Sequence, residues 1–144
     1  MKAVIEAAHE RGIKVLFDGV FNHIGAEAPA LKTAKENPDS EEAQLFAFTH
    51  SDGDMTVPVF EGHESLVEFD HTSDATVDFV VNVMNYWLAR GIDGWRLDAA
   101  YAVDPQFWHK VLPRVRAEHP HAFITARSST VTMRRLCRCP AWTR

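Results

Sequence analysis

"YWLARGIDGWRLDAA", Tyr86–Ala100, holds in one short run the end of a helix, a turn, a strand and a carboxylate. Upstream of it, Val77, Val80, Val81, Met84, Trp87 and Leu88 recur at helical spacing through "ATVDFVVNVMNYWLAR" and give one wide apolar stripe. That helix is expected to start near the capping residues of "HTSD", His71–Asp74, and to stop before Gly91. "GWRLD", Gly94–Asp98, then reads as a short strand. Successive side chains of a strand point to opposite faces, so Arg96 and Asp98 share one face, while Trp95 points the other way to pack beneath helices.

The same order of helix, glycine and strand recurs on either side. "KAVIEAAHER", Lys2–Arg11, places Val4, Ile5 and Ala8 at helical intervals and stops at Gly12, after which "IKVLFD", Ile13–Asp18, is a compact apolar run. Downstream, Asp104 and Pro105 suit the cap and first turn of a helix over "PQFWHKVLPRVRAE", Pro105–Glu118, which Pro113 is expected to kink or shorten. "AFITA", Ala122–Ala126, is the third strand. Strands alternating with covering helices predict an α/β fold with a parallel sheet, either doubly wound or a (β/α)8 barrel. Between the first strand and the second helix, residues 19–71 are rich in Gly, Pro, Asp and His and lack strong periodicity. So long an excursion after a strand's carboxyl end is where α/β enzymes build binding loops.

The strand ends carry "DGVFNH", Asp18–His23, and "GWRLD". A guanidinium beside a carboxylate keeps it ionised and fixes its orientation, which is what a carboxylate nucleophile requires. The spacing is equally compatible with an ion pair that closes a strand. The remaining histidines, His9, His50, His63, His71, His109, His119 and His121, show no metal-ligand spacing. The long loop makes Phe21, Phe60 and "GHES", Gly62–Ser65, the candidates for substrate contacts, whereas Trp87 reads as core.

Composition narrows the class. The chain has 144 residues, 46% of them hydrophobic, enough for one domain with a core, and no run approaches the ~20 apolar residues of a membrane span. The N-terminal "MKAVIEAAHERGIK" lacks the apolar centre of a secretory signal, so a cytoplasmic address is expected. The net charge of −5 is unevenly shared: five of the 15 basic residues and none of the 20 acidic ones lie from Arg127 onward, leaving residues 1–126 at 10 against 20, or −10. An acidic body predicts no nucleic-acid partner. The oligomeric state is left open.

"DGVFNH" resembles the Asp-x-x-x-Asn-His signature of the α-amylase superfamily of glycoside hydrolases, and "GIDGWRLDAA" resembles its Gly-x-Arg-x-Asp signature, in the expected order. The flanking "AAHERGIKVLFD", "GHESLVEFDHTS" and "YWLARGIDGWRLD" are similar to the neopullulanase, cyclomaltodextrinase and maltogenic-amylase branch. The resemblance implies a partial (β/α)8 barrel over residues 1–126, covering roughly the third to fifth strands, with residues 19–71 as an inserted loop subdomain. It implies retaining hydrolysis or transglycosylation of α-glucosidic bonds in an α-glucan or maltooligosaccharide. One carboxylate attacks the anomeric carbon, and a second, ~5–5.5 Å away, protonates the leaving oxygen and later activates water. By the same resemblance Asp98 is the nucleophile, Arg96 holds it, and His23 binds the sugar at the cleavage point. Asp18 and Asn22 brace the first loop, and many relatives use that asparagine to bind calcium. Where many amylases have Lys-His, this chain has Tyr101 and Ala102, which puts calcium and bond preference in question. No other cofactor is implied.

The family's second carboxylate is a glutamate that ends the strand begun by "AFITA", yet Ala126 is followed by Arg127. From there the chain changes character, with five arginines, both cysteines (Cys137 and Cys139) and no carboxylate. Encoding Arg127–Met133 as AGG TCA TCC ACG GTG ACT ATG and restoring one nucleotide gives GAG GTC ATC CAC GGT GAC TAT. That reads Glu-Val-Ile-His-Gly-Asp-Tyr, a continuation in the family's manner. Residues 127–144 are therefore expected to be an unrelated, frameshifted tail. Met1 is likewise expected to fall in the helix before the third barrel strand, so that a chain with open sheet edges folds poorly and lacks hydrolytic activity; the alternative is a non-catalytic carbohydrate- or partner-binding module derived from the same barrel. Sequencing the coding DNA is expected to show the glutamate codon in the alternative frame; an independently confirmed in-frame tail would sink this reading.

Overall fold

The computed structural model describes residues 1–51 and 54–127. Its centre is a parallel three-stranded sheet of β1 (Leu16–Val20), β6 (Gly94–Asp98) and β7 (Phe123–Ala126), in that spatial order. Between β1 and β6 the chain forms β2 (His23–Gly25), α2 (Pro29–Glu36), β3 (Thr49–Ser51), β4 (Asp54–Thr56), β5 (Leu66–Glu68) and α3 (Asp74–Leu88). α1 (Lys2–His9) precedes β1, and α4 (Pro105–Glu118) joins β6 to β7.

The apolar stripe of α3 is buried as its spacing requires, with Val77, Val80, Val81, Met84 and Leu88 in one cluster with Phe107, Trp108, Val111, Leu112 and Val115 of α4. Trp95 and Leu97 of β6 complete the cluster from the sheet, and Phe17, Ile124 and Ala126 pack against it. One face of the sheet is therefore covered. The opposite face carries Asp18, Arg96 and Asp98, and on it Leu16, Val20 and Phe123 remain exposed on the two outer strands.

Two helix ends use the same chemistry to turn into a strand. At Gly91, φ 99°, the Gly91 N–H bonds the Leu88 carbonyl and the Ile92 N–H the Trp87 carbonyl. Gly12 N–H to His9 and Ile13 N–H to Ala8 repeat the pattern after α1. These paired bonds satisfy helix-end carbonyls and demand a left-handed residue, which glycine supplies without a Cβ clash.

Two local expectations are corrected. The first strand starts at Leu16 rather than Ile13, because Val15 is taken up by Asp93: the Val15 N–H donates to Asp93 Oδ2 at 2.8 Å and the Val15 carbonyl accepts from the Asp93 N–H at 2.8 Å. That exchange sets the β1–β6 register, in which Leu16 pairs Gly94 and Asp18 pairs Arg96. Pro113 does not shorten α4, which runs through to Glu118. Pro113 lies on the exposed side of the helix, so its ring meets water rather than the packed core. The long excursion has elements of its own: β2 and β5 pair antiparallel, β3 and β4 form a hairpin, and Leu31, Ala34, Ala43, Leu45, Phe46, Val67 and Phe69 make a second small core. The tail expectation for residues 128–144 lies outside the described residues.

Asp93 is the tie-point at the amino end of the sheet. Besides Val15 it receives Lys14 Nζ at 2.8 Å and His9 Nε2 at 2.7 Å, with its side chain only 17% exposed. Burial pushes its carboxyl up, but the bonds from Lys14, the Val15 N–H and His9 outweigh burial and hold it well below the ordinary carboxylate range. Asp93→Asn is expected to cost ~1–2 kcal/mol in chemical denaturation near neutral pH. Because the folded value is depressed, that contribution is present above the unfolded value of ~3.9 and fades as pH falls below it, so the deficit should shrink in acid. A constant deficit from pH 7 to pH 3 would refute the assignment. Gly94→Ala is expected to be more damaging, since a Cβ there would lie 1.8 Å from the Phe123 carbonyl oxygen and force β6 and β7 apart. A native-like thermal melt for that variant would count against the pairing.

Candidate active site

The register of β1 against β6 brings Asp18 beside Arg96 on the uncovered face, and Asp98 follows two residues on at the carboxyl edge. Arg96 Nη1 reaches both Asp18 oxygens at 2.6 Å, and Nη2 donates to Asp98 Oδ1 at 3.0 Å. One guanidinium thus spans two carboxylates. The hydrogen bond that Arg96 donates to Asp18 is the largest influence raising the Arg96 pKa, so the bridging cation stays charged. The sequence reading assigned Arg96 to Asp98 and gave Asp18 to loop bracing. The geometry adds to the second assignment, because Asp18 is the nearer partner of Arg96.

Asn22 and His23 leave the end of β1 together. Asn22 is 1% exposed; its Oδ1 lies 3.0 Å from His23 Nδ1, and its carbonyl accepts the Phe69 N–H. It therefore ties the histidine to the start and the return of the excursion. The His23 ring stacks on Phe60 with centroids 4.6 Å apart and an interplanar angle of 21°. Desolvation lowers the His23 pKa against the opposing pull of Asp98, Glu68 and Glu61, which leaves a neutral imidazole near pH 7.

Phe21, expected to touch substrate, does not face the site. It is 6% exposed and packs on Trp95 and Trp108, at 5.5 and 6.5 Å between centroids. Alternation explains this, since Phe17, Gly19 and Phe21 share the helix-facing side of β1 whereas Asp18 takes the other. Only the Phe21 carbonyl has a polar role, as partner of His71 Nε2 at 2.9 Å. His71 was given no part in the sequence reading; burial lowers its pKa, and its ring meets Phe107 edge-on at 4.9 Å. No sequence signal marked that bond, which joins residues 50 positions apart.

Two further side chains reach the same edge. The Arg127 N–H donates to the Leu97 carbonyl, continuing the ladder past Ala126, and its Nη1 lies 3.4 Å from Asp98 Oδ1. Tyr101 Oη donates to Glu61 Oε1 at 3.2 Å. Among the described residues no three His, Cys, Asp or Glu side chains cluster to hold a metal, Asn22 Oδ1 is engaged by His23, and Asp18 is clamped by a guanidinium that would repel a cation. No helix among the described residues is long and apolar enough to cross a membrane.

Comparison with known proteins agrees with this geometry. The family model described as the alpha amylase catalytic domain matches residues 1–65 and 59–135. A cyclomaltodextrinase from a Bacillus species is 30% identical over 131 residues, covering 86% of this chain and 24% of that protein. An intracellular maltogenic amylase from Bacillus subtilis is 29% identical over 131 residues, covering 85% and 21%. Among solved structures, the debranching enzyme of Nostoc punctiforme superposes with a TM-score of 0.74 at 30% identity, covering 88% of this chain and 28% of the other. The chain spans about a quarter of the length of these relatives. With its two signature segments on adjacent parallel strands and a family match along most of its length, the chain belongs to the α-amylase catalytic-domain family.

Proposed function

We propose that the chain carries the nucleophile half of a retaining α-glucan hydrolase or transglycosylase site, and that in its present form it binds maltooligosaccharides without cleaving them. The observation behind this reading is the Asp18–Arg96–Asp98 bridge beside His23, a fixed carboxylate next to a stacked imidazole at the carboxyl edge of a parallel sheet. In this reading β1, β6 and β7 correspond to the third, fourth and fifth strands of a barrel, residues 19–71 to its inserted loop subdomain, and residues 127–144 to a frameshifted tail. The cytoplasmic address remains part of the proposal, supported by the relative named as intracellular.

Retaining cleavage needs two carboxyl groups with different tasks. Asp98 Oδ would attack the anomeric carbon while an acid hands a proton to the departing glycosidic oxygen, and water later releases the sugar from Asp98. Arg127 stands where that acid is required. A guanidinium keeps its proton at any working pH, so it cannot protonate a leaving oxygen, and at 3.4 Å it neutralises Asp98 instead. Binding survives such a change more readily than chemistry. That contact favours the second reading, a carbohydrate-binding module derived from the same fold, over residual hydrolysis.

Calorimetric titration with maltotriose is expected to show a dissociation constant in the ~1 mM range. Incubation with a nitrophenyl α-glucoside is expected to release no nitrophenol. Nitrophenol release that Asp98→Asn abolishes would overturn the non-hydrolytic assignment, and absence of maltotriose binding would overturn the glycan reading.

A further inference from the structure

Glu61 and Ala99, with φ of 50° and 49°, are the non-glycine residues in left-handed backbone among the described residues. Such a conformation is unfavourable for any residue with a Cβ, and it collects at ligand clamps and active sites. These two positions are not scattered. Ala99 follows Asp98 directly, Glu61 follows Phe60, and the Phe60 ring lies against His23. Tyr101, two residues beyond Ala99, ties the two turns together through its hydroxyl bond to Glu61 Oε1 at 3.2 Å. The charges of Glu61 and Asp98 both act on His23, so the carboxylate and the proposed sugar site share one local field.

We propose that Glu61 is a substrate-binding carboxylate, accepting sugar hydroxyls of a maltooligosaccharide lying over His23 and Asp98, with Tyr101 as the residue that positions it. This rests on the α-glucan reading above. A carboxylate suits the task because it accepts from neighbouring hydroxyls with several lone pairs. Among the described residues Tyr101 is the one hydrogen-bond partner of Glu61 and engages a single oxygen, leaving the other for ligand. Strain explains why the residue is informative. Glycine would occupy position 61 at no conformational cost, yet the chain places an exposed carboxylate there and its glycine, φ 79°, one residue later.

The test is calorimetric titration of the whole chain with maltotriose, beside thermal melts, for the parent and the variants Glu61→Gly, Tyr101→Phe and the double variant. Glu61→Gly is expected to melt at the same temperature or higher, since strain is relieved, while affinity falls about tenfold. Tyr101→Phe should lose about threefold, and the double variant should be no weaker than Glu61→Gly alone, because Tyr101 acts through Glu61. Unchanged affinity in Glu61→Gly, with binding lost in His23→Ala, would overturn this inference and leave the glycan reading standing. Failure of the parent to bind maltotriose would overturn both. Fully additive losses would remove the positioning role of Tyr101. Should Glu61→Gly not fold, Glu61→Gln decides the matter: a loss of about fivefold is expected, and unchanged affinity overturns the proposal.

Discussion

Arg96 lies between two carboxylates, and the candidate site is arranged around that placement. Asp18 and Asp98 are brought to one face by the pairing of β1 with β6, and without a cation between them two negative charges would crowd one edge of the sheet. The bridge is partly exposed, with the Arg96 side chain at 41%, so its contribution to stability is modest. Its consequence is directional: Asp18 holds Nη1 with both its oxygens while Nη2 donates to Asp98, and a guanidinium held at two nitrogens orients Asp98.

What holds the bridge in place lies at the opposite end of the strands. Asp93 exchanges hydrogen bonds with Val15 and collects Lys14 and His9, which holds the register beside the first ladder pair. One residue of slip would turn Asp18 toward Trp95 and Trp108 and bring Phe17 to the polar face. The helix-covered face resists that slip, because Phe17, Phe21 and Trp95 interlock there with centroid separations of 5.5–6.0 Å. Apolar packing on one side thus secures the polar geometry on the other.

Much of this was legible in the sequence, for reasons that are local. Helical spacing marked α1 and α3, the Asp104–Pro105 pair marked the start of α4, Gly12 and Gly91 marked the ends of the helices before β1 and β6, and strand alternation placed Arg96 with Asp98 and Trp95 opposite. What escaped was non-local. Asp18 could be assigned to Arg96 only once strand register was known, because 78 residues separate them. Phe21 was misplaced although the same alternation, counted from Asp18, sends it into the core. The start of β1 was misjudged because a side chain, Asp93, substitutes for a strand partner at Val15. Pro113 looked disruptive because a one-dimensional reading does not show which side of the helix meets water.

The ladder continues one step beyond β7, where the peptide N–H of position 127 is held by Leu97. That bond belongs to the backbone and is indifferent to the side chain attached. Whatever amino acid occupies position 127 is delivered to the rim beside Asp98, so the main chain acts as a socket and the side chain as its interchangeable plug. A basic plug closes a charge pair; an acidic one would set two carboxyl groups face to face. The scaffold thereby fixes where that side chain stands, through hydrogen-bonded peptide, and leaves the charge set against Asp98 to the residue itself.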